Sequence, residues 1–235
     1  MEWQRGSGPV DWSLVDKIVY INLDRRQDRN ESIRAQLSAL NVPQNKVQRF
    51  AAVESDCGFV GCAKSHLAVL EMARDEKWGA VLILEDDMAF PHAITDKIRL
   101  NYIFSQLCRL QWDVTFLAAN YFRVQPGAGN SDFAPFSQQA SIMRIRSATC
   151  ACAYMVRQHY YPTLIKNMAQ CIARLESTGE QLHSVDMTWL PLMLEDNWLG
   201  VYPCLGYQQA SVSDIQKGYV NYKYLFYKDL EEIMG

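Results

Sequence analysis

The chain has 235 residues, 49% of them hydrophobic and 21% charged, which is ordinary globular composition with length for one large domain or two small ones. A formal net charge of −3 offers no general basic surface, so neither nucleic acid nor an anionic membrane is an expected partner. No apolar run approaches the ~18 residues of a membrane-spanning helix.

The opening "MEWQRGSGPVDW" lacks the apolar centre of a secretory signal. Residues 1–14 therefore read as a flexible lead-in or a cloning scar, and the expected location is cytoplasmic. Asp16 to Leu23, "DKIVYINL", is rich in β-branched and aromatic residues and predicts a first strand. In the stretch that follows, Ile33, Leu37 and Leu40 share one helical face, and Pro43 stops the helix. Lys46 to Val53 predicts a second strand, Gly61 to Trp78 a helix, and "GAVLILEDD" a third strand. Strand, helix, strand, helix, strand is the pattern of a parallel sheet, so an α/β fold is expected. Thr95 to Leu110 predicts a helix and "WDVTFLAAN" a fourth strand. Tyr121 to Gln139, rich in Gly, Pro, Asn and Ser, reads as a long loop. "SIMRIRSATCACAYMV" suggests one or two strands, "RQHYYPTLIKNMAQCI" and "SVDMTWLPLMLED" helices, and "WLGVYPCLGYQ" a last strand. The seven cysteines are scattered without a paired C-x-x-C frame, and are expected to be reduced thiols.

In an open α/β sheet, ligands bind beyond the carboxyl ends of the strands. The first strand ends in Asp24–Arg25–Arg26 and the third in Glu85–Asp86–Asp87. Basic and acidic groups thus converge on one rim, which suits a ligand carrying phosphates together with a divalent cation. Hard cations such as Mg²⁺ and Mn²⁺ take carboxylate oxygens. Three readings compete. A phosphoacceptor receiver domain fits "VLILEDD" locally, but two predicted strands precede it and the next strand ends in Asn120 where an acceptor Asp is needed. A metal-dependent phosphate hydrolase would want further ligands, and the four histidines His66, His92, His159 and His183 form no tight pair. A nucleotide-sugar transferase needs a nucleotide pocket, an acidic pair and a base, and the chain offers all three.

"IVYINLDRRQDR" (Ile18–Arg29) resembles the opening of glycosyltransferase family 25, which includes lipooligosaccharide and collagen galactosyltransferases. "GCAKSHLAVLEMA" resembles its second block and "VLILEDDMAF" its third, the equivalent of an Asp-x-Asp metal motif. The three blocks stand in family order from Asp16 to Phe90, while "TCACAYMV", "SVDMTWL" and "LGYQQASVSDI" match later segments more weakly. The resemblance implies a GT-A fold: one domain over residues 15–235, with a nucleotide-binding half (15–90) and an acceptor-binding half (91–235). It implies a UDP-sugar donor, with UDP-galactose best known in the family, Mn²⁺ or Mg²⁺ as cofactor, and inversion at the anomeric carbon. The acceptor is left open among a glycan, a lipid-linked sugar and a protein hydroxyl, and the oligomeric state is unspecified.

On this resemblance, Tyr20, Ile21 and Asn22 are expected to line the uracil and ribose pocket, with Leu23 below. Arg25 or Arg29 would contact the diphosphate, and Val53 and Glu54 would border the nucleotide. At least one of Lys64, Ser65 and His66, placed at a helix start, would bind donor. Asp87 is the expected metal ligand. Asp86 would bond the ribose or share the metal, and Glu85 would support either. Asp186 is the expected general base, with Glu195 and Asp196 as alternatives; an N-cap role is the plain alternative for Asp186. No histidine follows His183, so Asp214, Gln208 or water would supply a C-terminal metal ligand. Tyr121, Phe122, Trp189 and Trp198 are candidates for stacking on sugars, with core packing the competing role for the tryptophans. A catalytically silent GT-A domain that binds sugars or acts as an adaptor is the alternative from another class.

Overall fold

Strand β1 (Lys17–Asn22) is buried at every position after Lys17, so both of its faces must be covered, as in the middle of a parallel sheet. The computed structural model, which describes residues 9–91, 93–126 and 141–235, places it there. Strands β2 (Val47–Ala51) and β3 (Ala80–Glu85) flank β1 in parallel, with Ile18 opposite Val47 on one side and Leu82 on the other. Helix α1 (Gln27–Ala39) connects β1 to β2, and α2 (Gly58–Asp75) connects β2 to β3.

Beyond β3 the sheet becomes mixed. Strand β4 (Met88–Ala89) and helix α3 (Ala93–Leu107) come first, then β5 (Val114–Pro126) and β6 (Ser141–Arg157). β6 runs antiparallel to both β3 and β5 and lies between them. β7 (Trp198–Tyr202) closes the sheet parallel to β5. The order is β2-β1-β3-β6-β5-β7, in which only β6 points the other way. The expected α/β fold is thus observed, as a mixed, mostly parallel sheet flanked by helices.

Helix α4 (Tyr161–Thr178) buries Leu164, Met168, Cys171, Ile172 and Leu175 at helical spacing and ends at Gly179, whose φ of +69° favours glycine. Next come α5 (Val185–Thr188) and α6 (Leu190–Glu195). They are two short helices where the sequence suggested one, because Pro191 can only begin a helix. After β7 the chain makes β8 (Tyr207–Gln208), paired with β4, then the small hairpin β9 (Ser211–Ser213) and β10 (Gly218–Val220), and finally α7 (Leu230–Ile233).

Several expectations need correction. Val10 and Trp12 are buried, and Trp12 meets Phe104 edge-on at 5.4 Å between ring centroids. The part of the lead-in from Val10 onward therefore belongs to the core. Tyr121 to Pro126 continue β5 rather than open a loop; residues 127–139 of that loop lie outside the described residues. Tyr121 is buried and donates to the Val201 carbonyl oxygen at 3.1 Å, which removes it as a sugar platform. Phe122 is half exposed, with Lys228 Nζ 4.2 Å from its ring centroid. Trp189 and Trp198 are fully buried, 5.3 Å apart between centroids, and pack with Phe116 in the core. All seven cysteines are free thiols.

Candidate functional site

A cavity of about 830 Å³ opens at the carboxyl ends of β1, β2 and β3. Ile21, Leu23, Ala52 and Val53 give it an apolar flank. Glu85, Asp86 and Asp87 form its acidic part, and Asn120, Thr149 and Asp186 contribute from the other half of the chain.

The acidic triplet sits where β3 ends and β4 begins. Asp86 accepts from Asn22 Nδ2 at 2.7 Å and from Arg29 Nη1 at 2.9 Å. The same Arg29 nitrogen stands 3.3 Å from Asp87 Oδ2. Asp87 Oδ1 is buried with no hydrogen-bond partner among the described residues. Burial, then repulsion from Glu85, pushes the Asp87 carboxyl up to about 7, although Arg29 opposes the shift. Burial also raises Asp86, against the pull of Arg29 and Asn22. Glu85 holds Gln208 Nε2 on its Oε2 at 2.9 Å.

Arginines from the start of α1 tie the C-terminal hairpin to this rim. Arg29 Nη2 donates to Ser211 Oγ at 2.5 Å and to the Val212 carbonyl oxygen at 3.2 Å. Arg25 and Arg26 reach Asp214 at 2.9 and 2.6 Å, and Arg25 also pairs with Glu54. Burial works against the Asp214 charge, yet Arg26 and Arg25 hold its carboxyl below the usual range. Gln208 and Asp214 both line the cavity, but the first is committed to Glu85 and the second to the arginines.

Facing them, β6 bulges. Asn120 pairs with Thr149, whereas Ala118 pairs with Ala153, so β6 spends extra residues between these points. Cys150 lies in this bulge at φ +70°, an uncommon conformation for a residue with a Cβ. Its amide donates to Asp186 Oδ2 at 3.0 Å. Ser184 Oγ, at 2.6 Å, and the Met187 amide, at 3.1 Å, donate to Asp186 Oδ1. Ser184, not Asp186, stands at the N-cap position of α5. Asn120 donates to Thr149 Oγ1 at 3.1 Å, while its own Oδ1 is buried without a partner among the described residues.

Of the residues expected at the site, Ile21, Leu23, Arg25, Arg29, Val53, Glu54, Ser65, His66, Glu85, Asp86, Asp87 and Asp186 line the cavity. Others do not. Tyr20 faces α1 and donates to Asn30 at 2.8 Å. Asn22 is buried behind Asp86, accepting from Arg49 and donating to Asp86 and the Arg26 carbonyl oxygen. Lys64 turns to α4 and pairs with Glu176 at 2.6 Å. Glu195 is exposed and outside the cavity, and Asp196 accepts from Tyr160 at 2.6 Å, also outside it. Lys64, Ser65 and His66 are not at a helix start, because α2 begins at Gly58. Ser65 Oγ donates to the Gly61 carbonyl oxygen at 2.7 Å and accepts from the Val53 amide at 2.8 Å, fastening α2 to the end of β2. Asn120 and Thr149 were not anticipated; a polar residue closing the predicted strand "WDVTFLAAN" was the available signal for Asn120.

The family model described as glycosyltransferase family 25 (LPS biosynthesis protein) matches residues 57–189. No curated protein matches the chain. Among solved structures, the mannose-1-phosphate geranyltransferase from Thermus thermophilus is similar at a TM-score of 0.43 and 10% identity, over 79% of this chain and 72% of that one. The nucleoside-diphosphate-sugar pyrophosphorylase from Vibrio cholerae is similar at 0.36 and 11%, over 80% and 75%. Likeness at these scores carries no functional argument.

Proposed function

The chain belongs to glycosyltransferase family 25, and from that premise we propose that its cavity moves a sugar from a UDP-sugar to an acceptor hydroxyl with inversion, using Mn²⁺ or Mg²⁺ held at Asp87 and Asp86. The observation that carries the reading is the buried, unpartnered Asp87 Oδ1 beside Asp86, in the same cavity as the Asp186 carboxylate. A buried anionic oxygen without a donor suits a hard cation, and the neighbouring carboxylate supplies a second ligand of the same chemistry. When bound, a divalent cation neutralises the negative charge that gathers on a diphosphate leaving group.

The remaining roles belong to the side chains. Ile21, Leu23, Ala52 and Val53 offer an apolar flank to a flat base. Arg25 and Arg29 supply guanidinium donors to phosphate oxygens, the bidentate geometry that arginine favours. Asn22 positions Asp86 from behind rather than touching donor. Asp186 takes the proton of the attacking acceptor hydroxyl, oriented for it by Ser184 and by the Cys150 and Met187 amides. Inversion needs only one such displacement, and Asp186, on α5, lines the same cavity as the acidic triplet. Galactose as the transferred sugar and a glycan, lipid-linked sugar or protein hydroxyl as acceptor follow the family rather than any feature of this cavity.

The test is a melting-temperature screen of UDP, GDP and CMP with and without Mn²⁺. UDP with Mn²⁺ is expected to raise the melting temperature most, since a ligand at ~100 times its Kd adds about 2.7 kcal/mol. Absence of any Mn²⁺-linked nucleotide effect refutes the reading. Donor hydrolysis across a panel of UDP-sugars then identifies the sugar.

A further inference from the structure

We propose that Cys62, His66 and Glu85 form a cation site of their own, separate from Asp86–Asp87, for a divalent ion of the Zn²⁺ class. Cys62 and His66 stand one turn apart on α2 and face the cavity, and Glu85 closes β3 opposite them. One ligand atom from each lies within 4.8 Å of the others. His66 Nε2 is 3.4 Å and Cys62 Sγ 3.9 Å from Glu85 Oε1. Ligand atoms bonded at 2.0–2.3 Å around a tetrahedral ion are separated by roughly 3.3–3.8 Å, so small side-chain shifts complete the site.

Two of the three ligands are already oriented from behind. His66 Nδ1 is hydrogen-bonded to the buried Tyr154 hydroxyl at 2.7 Å, which leaves Nε2 aimed at Glu85. Gln208 occupies Glu85 Oε2 and leaves Oε1 aimed at His66 and Cys62. Fixing the outer atom of a ligand in this way is how proteins set the tautomer and direction of metal-binding groups. The donor set also discriminates between ions. Sulfur, imidazole nitrogen and one carboxylate oxygen suit Zn²⁺ or Co²⁺, whereas Mg²⁺ and Mn²⁺ prefer oxygen alone. Three protein ligands leave a fourth position facing the cavity, the open arrangement of exchangeable sites. The ion takes the thiolate, and the thiol proton leaves to solvent.

The experiment is a Co²⁺ titration of the full chain followed by absorption. A thiolate-to-cobalt charge-transfer band should saturate at one equivalent, vanish with stoichiometric Zn²⁺ and persist in excess Mg²⁺. Cys62→Ser should abolish the band, with its folding checked by circular dichroism. Asp87→Asn, which disables the pair assigned to the hard cation, should keep it. Tyr154→Phe should weaken Co²⁺ binding by about 10–100-fold. If the wild-type chain gives no band, the three groups are only a hydrogen-bonded cluster and the proposal fails. A band that survives Cys62→Ser also overturns it. Neither outcome depends on nucleotide or sugar, so the test is independent of the transferase reading.

Discussion

Asp87 is where burial and charge conflict most sharply. Its carboxyl is held up to about 7, by burial first and Glu85 second. A carboxyl raised on folding binds more protons in the native than in the unfolded state. Its contribution to stability is therefore present at low pH and is lost as pH rises from its ordinary 3.8 through about 7. A cation needs the ionised form, so metal affinity should climb as pH rises toward about 7 and level above it. Mn²⁺-linked stabilisation by UDP is expected to grow from about pH 5 to about pH 8 and then level; melting curves across that range check it. Asp87→Ala should abolish both the Mn²⁺ effect and donor hydrolysis. Asp186→Asn should leave Mn²⁺-linked UDP binding intact and slow transfer to acceptor by about 10²–10⁴-fold, the usual weight of a positioned base; normal transfer by that variant would remove Asp186 from the mechanism. The triplet itself was legible because three adjacent carboxylates at the end of an aliphatic strand are chemically conspicuous. Tyr20 and Asn22 stand off the cavity because neighbouring residues of a strand face opposite sides, so they do not share the position of Ile21. The turn of Lys64 away from the cavity was not legible because its partner Glu176 lies on α4, far along the chain.

At the scale of the element, α2 is held against the end of β2 more tightly than its sequence suggests. A Cβ at Gly61 would stand 2.5 Å from the Val53 carbonyl oxygen. Gly61→Ala should therefore cost about 1–3 kcal/mol, the usual penalty of overpacking, where a helix interior normally rewards that change. Urea denaturation measures it, and a stabilised variant would show that the contact relaxes freely. The same helix shows why boundaries were less legible than elements. Its start has no capping side chain, only Cys57 and the glycines Gly58 and Gly61, so the helical pattern became visible only after Gly61. β6 was ambiguous for a different reason. Its bulge at Cys150 breaks the alternation of a long strand, and that break is what turns the Cys150 amide toward Asp186.

Across the whole molecule, the parallel half was readable because β1 and β3 are continuous apolar runs and the helices between the first three strands carry apolar residues at helical spacing. The antiparallel insertion of β6 depends on pairings between distant segments, and β8, β9 and β10 are too short to leave any period in the sequence. Yet they help to line the cavity, β8 through Gln208 on Glu85, and β9 with the turn after it through contacts made by Arg25, Arg26 and Arg29. Arg29→Ala should loosen residues Ser211–Val220 specifically. Hydrogen exchange there is expected to accelerate while the amides of β1 and β3 stay protected; unchanged exchange in the hairpin would mean that Arg25 and Arg26 hold it alone. No helix among the described residues is long and apolar enough to cross a membrane.

The double hold of Arg29 has a consequence for the order of events. Its guanidinium balances Asp86 and Asp87, so a lone cation arriving there would strand a positive side chain beside another positive charge. A lone diphosphate would strand the two carboxylates when it drew the guanidinium away. Arriving together, cation and diphosphate let carboxylates and guanidinium simply swap counter-ions, and the net charge of the rim hardly changes. On the proposed reading, each ligand should therefore tighten the binding of the other, and a titration of either alone should look weak.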